Sequence, residues 1–243
     1  MFNDQYVDGT YHEKVADWHI SDSPWKAAKV YSMLEKHQLE VSSICDVGCG
    51  AGEILVELQK RLDPEIKFSG FDISPQAISL AKQKENADLK FFNEDFLATS
   101  APNPDLILLL DVFEHVPDYL GFLDSLRKKS AWIIFHIPLD LCARAILKRS
   151  NYMLYMRERY GHLHYFTKDT AIATLSDIGY QVVDYFYTDD YEIPNEDVTN
   201  SIKSRAYFGA RKALYRVNPR FTSSFFPGFN LLLLAKGDKG IPE

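Results

Sequence analysis

Residues 46–53 read Asp-Val-Gly-Cys-Gly-Ala-Gly-Glu and join an apolar, strand-like run to an amphipathic stretch carrying Ile54, Leu55, Leu58 and Leu62. Three glycines within five residues constrain this chain more than any other feature, because a strand that turns at once into a helix needs backbone at positive φ and tolerates a ligand against bare main chain. The first N–H groups of the following helix then face any anionic group bound there. This is the pattern of a nucleotide-type cofactor loop. The spacing Gly48-x-Gly50-x-Gly52 departs from the dinucleotide fingerprint, in which the third glycine falls one residue later, so NAD is disfavoured.

About twenty residues on, Lys67-Phe68-Ser69-Gly70-Phe71-Asp72-Ile73-Ser74 reads as a second strand ending in an acid. An acid at that place can accept both hydroxyls of a ribose. A third strand, Leu89 to Phe92, runs into Asn93-Glu94-Asp95-Phe96, and a fourth, Leu106 to Leu110, runs into Asp111-Val112-Phe113-Glu114-His115-Val116.

In these four ordered motifs the chain resembles the class I S-adenosylmethionine-dependent methyltransferases, closely over residues 40–138 and again in the later stretch HLHYFT…LSDIGYQVVDYF. The resemblance implies S-adenosylmethionine as cofactor and S-adenosylhomocysteine as product. Carried over by residue, it implies that Asp46, Gly48 and Gly50 shape the pocket for the methionine end. Asp72, followed by Ile73, would hold the ribose, Asp95 and Phe96 would face the adenine, and Leu110 and Asp111 would line the end of strand four. Asp95 also has a plain alternative, a turn-capping aspartate.

The implied fold class is α/β, a Rossmann-like doubly wound sheet of about seven strands, mostly parallel with an antiparallel last strand. The βα alternation supports it. Ser74-Pro75 caps a helix with Ala77, Ile78 and Ala81 inward, and Pro117-Asp118 opens another with Tyr119, Leu120, Phe122, Leu123 and Leu126 inward. Strand five is Trp132–Ile137. Thr167 starts a helix that Gly179 ends, strand six is Tyr180–Tyr187, and Phe229–Ala235 is the antiparallel strand expected between strands five and six. The chain is expected to form one domain over 1–243. Within it, 1–40 is a helical cover over the cofactor, 41–138 is the cofactor-binding core, and 139–165 and 188–228 are excursions on the acceptor side.

Composition bounds the function. With 243 residues, 46% hydrophobic, the chain can bury a full core without a metal or disulfide staple. Its three cysteines, Cys45, Cys49 and Cys142, form no CxxC pair, which favours a reduced, cytoplasmic compartment. There is no apolar run of about eighteen residues and no signal-like start, so stable membrane insertion is not expected. A net charge of −7 argues against nucleic acid as a partner. Two groups of basic residues stand out, Arg144, Lys148, Arg149, Arg157 and Arg159, then Lys203, Arg205, Arg211, Lys212, Arg216 and Arg220. They read either as two solvated helix faces or as recognition of an anionic acceptor.

The candidate chemistry lies among histidines. Asp111-x-x-Glu114-His115 resembles a segment linked to a divalent metal in ubiquinone-biosynthesis O-methyltransferases, and equally the wording of metal-independent members, where the histidine packs beside the cofactor. A sulfonium donor needs no Lewis acid, so no metal is expected. His136 ends strand five at the ligand edge. His162 and His164 would share one face if their stretch is extended, and either could meet the acceptor, the alternative being a surface pair beside a helix cap. With His115 they form the candidate catalytic set. Tyr11, His12, Trp18, His19 and Trp25 give the N-terminal cover an aromatic side. The expected function is methyl transfer from S-adenosylmethionine to a small-molecule acceptor, anionic or aromatic, at a hydroxyl. The alternatives are a protein methyltransferase and a catalytically inactive cofactor-binding subunit.

Overall fold

In a computed structural model, which describes residues 4–15, 18, 20–147, 151–193 and 202–238, each apolar run closed by an acid, a turn or a proline becomes a strand. These are β1 (Ser43–Val47), β2 (Lys67–Phe71), β3 (Leu89–Phe92), β4 (Leu106–Leu110), β5 (Trp132–Pro138), β6 (Gln181–Asp189) and β7 (Phe229–Lys236). They form one sheet in the order β3-β2-β1-β4-β5-β7-β6. Neighbours from β3 through β5 are parallel, and β7 runs antiparallel to both β5 and β6. The antiparallel last strand therefore lies where the sequence reading expected it.

Period-two alternation along the strands builds two cores from one sheet. Ile107 and Leu109 of β4 face one side with Ile133 and Phe135 of β5, against α6 (Tyr119–Arg127) and α9 (Lys168–Ile178), which contribute Leu123, Leu126, Ala171 and Leu175. Leu106 and Leu108 face the other side with Ile134, Leu232 and Leu234. There they meet α3 (Ser23–His37), α4 (Glu53–Gln59) and α5 (Pro75–Ala81) through Ala27, Val30, Met33, Leu55, Leu58 and Ile78. Each buried Leu, Ile, Val, Phe or Met among them contributes roughly 1.5–3 kcal/mol, so a strand buried on both faces is held by both layers. Leu120, expected inward, is 49% exposed, since α6 presents only Leu123 and Leu126 fully to the sheet.

The helix ends follow the predicted chemistry. Ser74 Oγ accepts from Ala77 N–H, Thr167 and Thr170 form a reciprocal capping box, and Gly179 ends α9 at φ 102°. The N-terminal cover holds α1 (Asp4–Val7) and α2 (Thr10–Lys14) before α3. The first excursion carries α7 (Ala143–Leu147) and α8 (Tyr152–Arg159), and the second carries α10 (Ile202–Val217) and α11 (Pro219–Phe225). His19, Lys148, Arg149 and the side chain of Lys203 lie outside the described residues. No helix among those described is long and apolar enough to cross a membrane.

Candidate active site

The strand order reverses direction between β1 and β4, and ligands of open α/β sheets sit in the crevice at that point. A cavity of about 1290 Å³ opens there, lined by the glycine loop, the carboxyl ends of β2, β4 and β5, the N-terminal cover and both excursions.

The loop is shaped from beneath and pinned from the side. Gly48, Gly50 and Gly52 all have positive φ, at 80°, 53° and 78°. A Cβ on Gly48 would stand 2.6 Å from Val112 Cγ2, and one on Gly52 would stand 2.4 Å from the Phe91 ring. Gly48 and Cys49 donate their N–H groups to the Phe71 carbonyl at 2.8 and 3.1 Å. Gly50 N–H donates to Asp72 Oδ2 at 2.9 Å, and Ser74 N–H donates to Asp72 Oδ1 at 2.8 Å. One carboxylate thus ties the loop after β1 to the turn after β2. Burial raises the Asp72 carboxyl above its ordinary range against those two N–H donors. Beside it, burial and then the charge of Asp72 push Asp46 up to about 7, and Asp46 Oδ2 has no hydrogen-bond partner among the described residues.

Ile73, Phe96 and Leu110 line the same end of the cavity. Asp95 does too, while its side chain caps the next turn by accepting from Leu97 N–H at 3.0 Å. The cap and the cavity position coexist, so the two sequence readings of Asp95 are not exclusive.

Asp111 adopts φ 55°, which turns its carboxylate back over the sheet edge. There Oδ1 pairs with His136 Nδ1 at 2.7 Å and Oδ2 with Lys26 Nζ at 2.8 Å, and His136 Nε2 meets Thr188 Oγ1 at 2.8 Å. Burial alone would raise the Asp111 carboxyl, but His136 and Lys26 beside it hold it well below the ordinary range. Next along this wall, burial pushes Asp190 up to about 6 in spite of its hydrogen bond from Asn230.

The far wall gathers the other histidines. His162 is 6% exposed, and its Nδ1 lies 2.6 Å from Asp140 Oδ2, while Tyr152 Oη donates to Asp140 Oδ1 at 3.0 Å. His115 packs edge-on to His162, with ring centres 4.9 Å apart, and Tyr6 packs edge-on to His115 at 5.9 Å. Glu114, 1% exposed, has neither carboxylate oxygen hydrogen-bonded, and burial followed by the Asp111 charge holds it well above the ordinary carboxylate range. One ligand atom each from Glu114, His115 and His162 lie within 4.8 Å of one another, which makes this trio a group able to hold a cation among the described residues.

His162 and His164 do not converge. Leu163 and His164 both donate backbone N–H to the Glu114 carbonyl, and the His164 ring turns away to meet the Val116 carbonyl at 3.0 Å and the Tyr119 ring at 4.4 Å. His162 lines the cavity and His164 supports the segment beneath it. The aromatic cover is real in part. Tyr6, Tyr11 and Trp18 pack in series at 4.9 and 5.1 Å, and Trp25 stands edge-on to His136 at 6.0 Å.

Lys26, Asp140, Tyr152, Asp190 and Asn230 were not singled out from sequence. Asp140 and Asp190 had a signal, because each follows the carboxyl end of a parallel strand just as Asp72 and Asp111 do. Lys26 had none, sitting within an otherwise ordinary amphipathic helix.

A model of the methyltransferase domain family matches residues 21–185. Among solved structures, the chain is similar to one described as a complex between the Haloferax volcanii Trm112 methyltransferase activator and the "putative methyltransferase", with 16% identity over 98% of this chain and 97% of that one and a TM-score of 0.65. It is similar to the plantazolicin methyltransferase BpumL in complex with S-adenosylhomocysteine, with 20% identity over 97% and 93% and a TM-score of 0.62. It is also similar to the magnesium protoporphyrin IX methyltransferase ChlM of Synechocystis with bound S-adenosylhomocysteine, with 16% identity over 91% and 86% and a TM-score of 0.56. With the ordered motifs, the sheet order and a family match spanning most of its length, the chain belongs to the methyltransferase domain family and is a class I S-adenosylmethionine-dependent methyltransferase.

Proposed function

We propose that the cavity holds S-adenosylmethionine against the glycine loop and transfers its methyl group to a hydroxyl of a small-molecule acceptor bound toward His115 and His162. The observation that carries this reading is the carboxylate of Asp72, which grips both Gly50 N–H and Ser74 N–H at the crevice yet keeps lone pairs for two ribose hydroxyls. Asp46 and the backbone at Gly48 and Gly50 would receive the methionine end, with the methionine ammonium near the Asp46 carboxylate. Ile73, Asp95 and Phe96 would border the adenine, and Leu110 with Asp111 the sulfonium.

Transfer is an in-line displacement whose leaving group is already good, so the protein's main contribution is to hold the reacting atoms in line. An acceptor oxygen forms the new O–CH₃ bond as the C–S bond breaks, leaving S-adenosylhomocysteine. The hydroxyl proton passes to Nε2 of His162. Asp140 on Nδ1 fixes the tautomer that leaves Nε2 free to accept it. His115 shapes the pocket by packing, and His164 acts through the segment it anchors. The similar methyltransferases named for magnesium protoporphyrin IX and for plantazolicin support a bulky acceptor, which fits a cavity with an aromatic wall.

Calorimetric titration with S-adenosylmethionine, S-adenosylhomocysteine and NAD, followed by a hydroxyl-acceptor screen, tests the proposal. Binding of NAD in preference to both sulfur ligands would sink it. A second reading rests on the convergence of Glu114, His115 and His162, where a divalent cation would orient the acceptor oxygen. Turnover that survives exhaustive chelation supports the metal-free reading; turnover lost to chelator and restored by zinc or magnesium supports the second.

A further inference from the structure

The second excursion carries a charge pattern that the fold uses only in part, through Arg211 on Asp189 and Arg220 on Asp169. Between 202 and 228 the sequence has six Lys or Arg residues and no Asp or Glu, in a chain whose acids outnumber its bases 34 to 27. Helix α10 sorts them by face. Tyr207, Phe208, Arg211, Leu214 and Tyr215 point inward, where Arg211 is 3% exposed, binds both oxygens of Asp189 and stacks over the Phe229 ring at 3.8 Å. Arg211 is therefore structural. Arg205, Lys212 and Arg216 are exposed at spacings of seven and four, which sets them in one row along the outer face.

That row ends in bare apolar side chains. Val217 is 83% exposed at the end of α10 and Phe221 51% exposed on α11. Helix α7, fastened to the same unit by the Arg144 guanidinium over the Tyr207 and Phe226 rings at 5.2 and 5.9 Å, adds Ile146 at 55% and Leu147 at 73% exposed. Large aliphatic side chains bared near a row of exposed cations cost solubility and contribute nothing to the core. One turn from Lys212, Phe208 of α10 borders the cavity.

We infer that the outer face of α10, with the apolar tips of α7 and α11, docks on an anionic lipid bilayer. Cations draw the face to acidic headgroups, and Leu147, Val217 and Phe221 enter the headgroup boundary. A nucleic acid would match the cations but leave those aliphatic tips in water, and an uncharged apolar partner would leave the cations without counter-charge. Docking puts the bilayer within about one helix diameter, roughly 10 Å, of the cavity wall. The inference does not depend on which cofactor or acceptor the cavity takes.

Flotation of the full chain with vesicles of phosphatidylcholine alone, or of phosphatidylcholine mixed with phosphatidylglycerol, tests it. The expected result is capture by the anionic vesicles only, weakening as salt shortens the reach of the cationic row. Lys212→Ala with Arg216→Ala should weaken capture roughly 25-fold, at about fivefold per near-surface cation. Leu147→Asp with Val217→Asp should abolish whatever capture resists salt. All four positions are exposed, and circular dichroism with a cooperative melt verifies that each variant is folded. No capture by anionic vesicles, equal capture by phosphatidylcholine alone, capture indifferent to the two alanines, or tighter binding to a short duplex DNA than to the vesicles would each overturn the inference.

Discussion

Asp72 is tied to the structure before any ligand arrives, since its two oxygens already accept from Gly50 and Ser74. Asp72→Ala should therefore act twice. On the proposed ribose assignment it removes two charge-assisted bonds, each worth roughly 1.5–3 kcal/mol, so affinity for S-adenosylhomocysteine should fall at least about a hundredfold. It also releases two backbone donors, which a lower melting temperature of the unliganded variant would report. Calorimetry returning the wild-type affinity would refute the ribose assignment. Asp46 gives a prediction of opposite sign for stability. Its folded-state value of about 7 lies above the value near 3.9 of an unfolded aspartate, so the native state keeps a proton that the unfolded chain has shed. Stability contributed at this site accordingly falls as pH rises from about 4 to about 7 and stays lost above. Asp46→Asn should melt higher than wild type at pH 8, by the equivalent of about 1–3 kcal/mol, and match it near pH 4. The same variant should bind S-adenosylhomocysteine more weakly, because the methionine ammonium loses its counter-charge. A uniform shift of the melt at both pH values would show that Asp46 acts through packing and not through its proton.

At the scale of the element, the glycine loop was the most legible part of the chain because its geometry leaves few choices. Gly52→Ala places a Cβ within 2.4 Å of the Phe91 ring at φ 78°, combining strain with overpacking. The expected loss is about 1–3 kcal/mol, read from urea unfolding with an unchanged slope. A variant as stable as wild type would mean that the ring yields and the loop is looser than drawn. The strands were nearly as readable, since LILLL and WIIFHI are short, continuously apolar runs bounded by turn residues, as a sheet covered on both faces requires. What sequence could not show is partnership across elements. Nothing around Lys26 announces that it reaches Asp111 from another helix, and Arg211 reads as one more surface base until Asp189 and Phe229 are placed around it. His162 and His164 fail for a related reason. Alternation predicts a shared face only for a free extended strand, and here two N–H groups bent onto the Glu114 carbonyl break the alternation.

For the whole molecule, the sheet supplies stability while the cover and the excursions supply most of the cavity wall. Neither large core contains a residue of α1 or α2, yet Tyr6 and Tyr11 line the cavity, and the cover is strapped across it by Lys14 Nζ on the Glu158 carbonyl at 2.9 Å. Burial pushes the Tyr6 and Tyr11 hydroxyls far above the ordinary phenol range, with nearby charges adding to it, so both stay protonated and serve as packing and hydrogen-bonding groups. Stability and ligand closure should therefore separate when residues 1–15 are removed. The truncated chain should keep a cooperative melt, because α3 and the sheet retain their contacts. Its affinity for S-adenosylhomocysteine should fall at least about tenfold, as the open crevice admits water around the bound ligand and loses the aromatic contacts, each worth about 0.5–1.5 kcal/mol. Calorimetry and thermal unfolding on the same preparation read the two properties independently. Wild-type affinity after truncation would show that the glycine loop and Asp72 suffice for the cofactor, and would confine the N-terminal cover to the acceptor side of the cavity.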